Sequence, residues 1–151
     1  MFSLLIFVLI ASSLFSQTKT EHNANDVFSL KEQDKKILFS KCDDFFKLII
    51  NGKYREAFSG LLTGSLIGEK SEQLTNLIDQ TKRASELYGE MKSYELVNTE
   101  AVSPSLARLR YLSLHTDYPM RWLLTFYKSP EKGWVVINVK FDDVTESFFQ
   151  D

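Results

Sequence analysis

Between Met120 and Asp143 the chain alternates apolar and polar positions in two runs separated by a turn. Trp122, Leu124 and Phe126 share one face of the first run, and Val135, Ile137, Val139 and Phe141 share one face of the second, the period-two pattern of strands with one buried side. Pro130, Glu131, Lys132 and Gly133 supply the turn, because proline presets φ at its entry and glycine takes the unusual backbone angle at its exit. Placing both apolar sets on one side predicts a four-residue loop closed by Ser129 opposite Trp134. Trp122 then faces Phe141, Leu124 faces Val139 and Phe126 faces Ile137. On the reverse face the same register sets Arg121 opposite Asp142 and Thr125 opposite Asn138, with Tyr127 beside Val136.

Upstream the period changes to that of helices. Ser29 and Glu32 have capping-box spacing, which predicts a first helix from about Leu30 to Ile50, closed by Asn51 and Gly52. Its apolar stripe is Leu38, Cys42, Phe45 and Ile49. Tyr54, Ala57, Phe58, Leu61 and Leu62 recur at helical spacing in a short second helix. Thr63 to Lys70 reads as a loop with Leu66 and Ile67 tucked under the core. Ser71 caps a third helix whose buried stripe runs from Leu74 through Leu77, Ile78, Thr81, Ala84 and Ser85 to Tyr88, ended by Gly89. Strands are expected over Tyr94–Val102 and Leu106–His115. In the latter the favoured phase turns Leu109, Tyr111, Ser113 and His115 inward and leaves Arg108 and Arg110 outside. The tail from Val144, with Phe148 and Phe149, is expected to fold back on the domain.

The fold class is therefore α+β: three helices packed on a curved four-stranded antiparallel sheet. With 151 residues and 44% hydrophobic content, one core of ordinary size is the expectation. Phe2 to Phe15 is an uncharged apolar run, shorter than the roughly 20 residues that span a bilayer, and Ser16 offers a small residue before a cut at Gln17. The reading is a signal peptide over residues 1–16, a polar leader over 17–29 and a single domain over 30–151. It places the protein in a secreted or periplasmic compartment with no stable membrane span after cleavage; an uncleaved anchor is the alternative. The balance of 18 basic against 20 acidic residues, mixed along the chain, is not a nucleic-acid footprint. Cys42 is the only cysteine, so no internal disulfide forms, and its place on the apolar stripe marks a buried thiol.

Helices first, then long antiparallel strands ending in an aromatic-rich hairpin, resemble the NTF2-like superfamily, a cystatin-like α+β cone. The phrase FFKLIINGKYREAF, Phe45 to Phe58, is similar to the opening of small secreted members of that superfamily. Many members place a short strand or hairpin between the second and third helices, where this chain has only a loop. The resemblance implies a curved sheet wrapped over helices, a pocket in the cone mouth and often a dimer through the sheet. Catalytic members carry acid-base residues in that pocket, and no motif here transfers those roles.

Candidate chemistry is sparse, with no metal or cofactor motif. His115, at a strand end, is the one candidate general base, with Asp117 two residues on as a carboxylate partner; a turn histidine in solvent is the alternative. Tyr54, Tyr111, Ser113 and Trp122 are the candidate lining of a pocket for a small apolar ligand, and a packed core uses the same residues. Leu112, Leu114, Leu123, Tyr127, Trp134 and Val136 are expected on the face of the sheet away from the helices, an apolar patch that marks an interface such as a homodimer. The first reading is a non-catalytic extracytoplasmic binding or interaction module. The second is a pocket enzyme of hydrolase or isomerase type with His115 as base.

Overall fold

The computed structural model describes residues 28–149; the signal peptide expected at residues 1–16 and most of the expected leader lie outside the described residues. Three helices come first: α1 (Glu32–Ile50), α2 (Tyr54–Leu61) and α3 (Ser71–Tyr88). Four strands follow: β1 (Met91–Ser103), β2 (Leu106–His115), β3 (Met120–Ser129) and β4 (Gly133–Asp142). They form one antiparallel sheet in the order β1-β2-β3-β4, and a 3-10 turn at Thr145–Phe148 follows it. No helix among the described residues is long and apolar enough to cross a membrane.

The first two helices bury the stripes their periodicity requires, whereas of the stripe expected on α3 only Ile78, Thr81 and Ala84 are buried and Leu74, Leu77, Ser85 and Tyr88 are partly covered. Leu38, Cys42, Phe45 and Ile49 of α1 are buried together with Phe46, and Ala57, Phe58 and Leu61 of α2 with them. Two cap expectations are corrected. The first helix begins at Glu32 behind an extended Lys31 without a side-chain cap, so Ser29 does not close a capping box. Leu30 is buried in the core, and that anchor holds the chain extended up to Lys31. Ser71 is the first residue of α3 rather than its cap, which falls to Lys70. In the connection between α2 and α3, Ile67 packs on the core, but Leu66 is 71% exposed.

Gly89 ends α3 at φ 83°, and a Cβ there would meet Thr116 Cβ at 2.6 Å. Only glycine combines that angle with that approach. The turn it makes carries the chain into β1, and the Asp117 amide closes it by donating to the Tyr88 carbonyl.

The β3–β4 ladder departs from expectation in one place. Arg121 pairs with Asp142, Trp122 with Phe141, Leu124 with Val139 and Thr125 with Asn138, as the alternation requires. Phe126 then pairs with Val136 rather than Ile137, because Ile137 is the extra residue of a β-bulge. A bulge reverses the phase of everything beyond it. Trp134 and Val136 therefore face the helices, 5% and 0% exposed, and Ile137 is turned out at 47%. The expectation that Trp134 and Val136 lie on the outer face is corrected, and the hairpin closes with Ser129 opposite Gly133 instead of Trp134. The physical gain is that one strand buries Phe141 and Val139 at one end and Val136 and Trp134 at the other, which strict alternation forbids.

The core lies between helices and sheet. Phe45 meets Phe46, Phe58 and Trp122 edge to face at centroid distances of 5.0, 5.0 and 5.5 Å, and Trp122 stacks on Phe141 at 4.4 Å. These are the offset and edge-on geometries that aromatic quadrupoles favour.

Candidate functional site

In β2 the alternation turns Leu109, Tyr111 and Ser113 inward, and all three are buried. Beyond them, at the α3–β1 turn, lies the histidine that sequence reasoning singled out. His115 Nδ1 is 2.8 Å from the Gly89 carbonyl oxygen, and Nε2 is 3.1 Å from Ser113 Oγ. A carbonyl only accepts, so Nδ1 carries a proton, and the single Ser113 hydroxyl proton has two acceptors in reach, His115 Nε2 and the Met120 carbonyl at 3.4 Å. Trp122 Nε1–H donates to the same Ser113 oxygen at 2.9 Å. Trp122, Ser113, His115 and the Gly89 carbonyl thus form one hydrogen-bonded chain.

This resembles a nucleophile–base pair in its spacing but not in its access. Ser113 has no exposed surface and Trp122 is 1% exposed. Asp117, the expected carboxylate partner, does not orient the ring; the Gly89 carbonyl does, and the Asp117 side chain stays exposed. Among the described residues no cluster of histidine, cysteine and carboxylate side chains is arranged to hold a metal ion.

The four residues expected to line a ligand pocket do not gather around one cavity. Tyr111 packs against Phe46 and Tyr94 at 4.9 and 6.2 Å, and Trp122 is enclosed by Phe45, Phe46 and Phe141. Tyr54 lies apart and ties α2 to α3 by donating to Ser85 Oγ at 3.1 Å. It lines a surface cleft of about 300 Å³ between those helices, bordered by Lys53, Arg55 and Lys82. Burial pushes the Cys42 thiol up to about 12 and raises the Tyr111 phenol, so neither ionises near neutral pH. Burial also lifts Tyr94 to about 12, helped by its hydrogen bond to Asp43 at 3.1 Å.

A second polar cluster was not foreseen. Asp34 Oδ1 accepts from Lys128 Nζ at 2.8 Å and from Trp134 Nε1 at 2.9 Å, joining the start of α1 to the β3–β4 hairpin. The hydrogen bonds from Lys128 and Trp134 hold its carboxyl below the usual carboxylate range against the opposing effect of burial. The signal was in the sequence: Asp34 stands one turn before Leu38, in line with the buried stripe of α1.

The outer face of the sheet mixes leucines with ion pairs. Leu112, Leu114 and Leu123 are half-buried there, and Tyr127 is 40% exposed. Glu100 holds Arg108 and Arg110, each at 2.7 Å. Arg110 is thus turned away from the helices as expected, yet it is buried rather than solvated. Arg121 bonds Asp142 through two nitrogens at 3.0 and 2.8 Å and lies over the Phe148 ring at 5.9 Å, so the 3-10 turn folds back onto this side.

No family model and no curated protein matches the chain. A solved structure from Campylobacter jejuni, provisionally named an NTF2-like transpeptidase, is similar to it at 16% identity, covering 67% of this chain and 97% of that one with a TM-score of 0.49. The chain's own elements are three helices followed by a four-stranded antiparallel meander around a buried aromatic cluster.

Proposed function

We propose that the protein is an extracytoplasmic, non-catalytic interaction module that works through the outer face of its sheet, pairing there with a second copy. The observation that carries this reading is the state of the interior. The place where an NTF2-like cone would receive a ligand holds Trp122, Phe45 and Phe46 in contact, and the polar groups there satisfy one another. The outer face instead keeps Leu112, Leu114, Leu123 and Tyr127 partly uncovered between two ion-pair clusters. Half-buried leucines flanked by arginine–carboxylate pairs are the composition of an interface core with a polar rim. The compartment is supported by the apolar run from Phe2 to Phe15.

Native mass spectrometry tests the pairing. A doubled mass that Leu123→Glu converts to a single one supports it; a monomer at high micromolar concentration removes it. The second reading, a pocket hydrolase or isomerase with His115 as base, draws on the 3.1 Å separation of Ser113 Oγ and His115 Nε2. It requires the Trp122 ring to move before any substrate reaches the hydroxyl. Trapping of Ser113 by a fluorophosphonate, abolished in His115→Ala, favours this reading; absence of labelling under native conditions favours the first.

A further inference from the structure

A four-stranded open sheet has two edges, and this one treats them differently. The β1 edge is broken by register shifts at Met91/Ser93, Leu96/Asn98 and Ala101/Ser103, and it carries Lys92, Glu95 and Glu100. Bulges and charges are the devices that keep an edge strand from accepting a foreign strand. The β4 edge has one irregularity, at Ile137, and no charged residue from Gly133 to Val139. Among the described residues, no backbone hydrogen bond other than the ladder to β3 reaches that segment.

A groove runs beside this edge. At the hairpin end a cleft of about 320 Å³ lies between the α2–α3 connection and β4, with Leu66, Ile67, Val135 and Ile137 in its walls. Lys132, the cation at that end, is engaged with the Gly64 carbonyl at 3.3 Å. The cleft meets, at Ile67, a second one of about 250 Å³ between α3 and β4. There the wall is a row of carboxamides: Gln73, Asn76 and Gln80 on one face of α3, and Asn138 opposite on β4. Among the described residues none of these four amides has a hydrogen-bond partner. A carboxamide offers one acceptor and two donors without charge, the same complement as a peptide group.

We propose that the β4 edge is a strand-addition site, at which an extended, uncharged peptide segment of a partner protein lies in the groove between β4 and α3. A strand edge flanked by a helix is the general geometry of such recognition, with the ladder supplying affinity and alternate side chains supplying specificity. The segment from Val135 to Val139 accommodates about five residues, roughly 17 Å of extended chain. The partner's apolar side chains sit over Leu66 and Ile137, which are 71% and 47% exposed. Its small polar residues and main chain meet Gln73, Asn76, Gln80 and Asn138. A charged residue in the partner strand finds no counter-ion along the carboxamide stretch of this groove, Lys132 at the hairpin end being its one cation, and loses hydration there.

The test selects binders from a phage-displayed random heptapeptide library on the full chain purified from an extracytoplasmic expression route, then titrates the selected peptides by NMR. The expected peptides lack charge, protect the Val135–Val139 amides from exchange and shift the side-chain amides of Gln73, Asn76, Gln80 and Asn138. Leu66→Lys combined with Asn138→Lys, both on exposed positions, weakens binding at least about tenfold, whereas Val102→Lys on the other edge leaves it unchanged. Failure to recover any peptide above the bare support, a footprint elsewhere, or unchanged affinity in the double lysine variant overturns the proposal. Each of these readouts is independent of the outer-face pairing, since Leu123→Glu alters the oligomeric mass and not the β4 footprint.

Discussion

The two tryptophans of this small core sit in the same layer and are held by opposite chemistry. Trp122, on β3, gives its indole proton to the neutral hydroxyl of Ser113, which is hydrogen-bonded to a histidine; Trp134, on β4, gives its proton to a carboxylate that is also bound by a lysine. Neither indole N–H is left unsatisfied, because an unpartnered buried donor costs on the order of 1–3 kcal/mol. The difference is in what each cluster depends on. The first contains no carboxylate and is local to the sheet and the Gly89 turn; the second is an ion pair that bridges the first turn of α1 to the last hairpin.

The sharpest way to break the comparison is to truncate the second indole itself. Trp134→Ala takes a large aromatic out of the core and leaves Asp34 with Lys128 alone; the expected loss in urea unfolding is about 3–5 kcal/mol, while Trp122 keeps its contribution to fluorescence. Deleting Ile137 should cost far less, because it removes the one unpaired residue and leaves Val136 opposite Phe126 and Trp134 opposite Lys128. A larger loss from the deletion than from Trp134→Ala would mean that the bulge itself, rather than the indole it admits, holds β4 in place. Next in size is Asp34→Ala, which strands the Trp134 N–H and should cost about 2–3 kcal/mol. Ser113→Ala strands the Trp122 N–H in the same way, but half-buried His115 regains water, so the expected cost is smaller, about 1–2 kcal/mol. A larger loss at Ser113 than at Asp34 would reverse the ranking of the two clusters.

The same contrast explains what was legible in the chain. The apolar stripe of the first helix and the inward face of β2 followed from periodicity: Leu109, Tyr111 and Ser113 need only regular alternation to be buried. Trp134 did not follow, because a bulge is one residue long and leaves no mark on composition; Ile137 is as apolar as Val136, which takes its place in the core. Ser29 has the spacing of a cap, yet the burial of Leu30 decides where α1 begins, and local spacing carries no information about that tertiary contact. His115 was visible as a candidate, but its partner was not. The Gly89 carbonyl comes from the far side of a turn, and no side-chain pattern announces a backbone acceptor.

Acid separates the clusters by a smaller, graded effect. The Asp34 carboxyl is held below its ordinary value in the folded chain by Lys128 and Trp134, and Asp142 is likewise held down by Arg121. A carboxylate with a depressed folded pKa contributes stability above its unfolded value, near 3.9 for aspartate, and that contribution is lost as pH falls through the folded value. The stability gap between the wild type and Asp34→Asn should therefore be full at pH 7, unchanged down to about pH 5 and progressively closed below about pH 4. Lys128→Gln should shrink the gap at neutral pH, since it removes the first of the two donors that depress the carboxyl. Ser113→Ala removes no contact to a carboxylate, so its gap should not close in step with protonation of Asp34. A gap at Asp34 that persists at pH 3 would mean that the hydrogen bond to Trp134, rather than the charge on Asp34, is what fastens α1 to the hairpin.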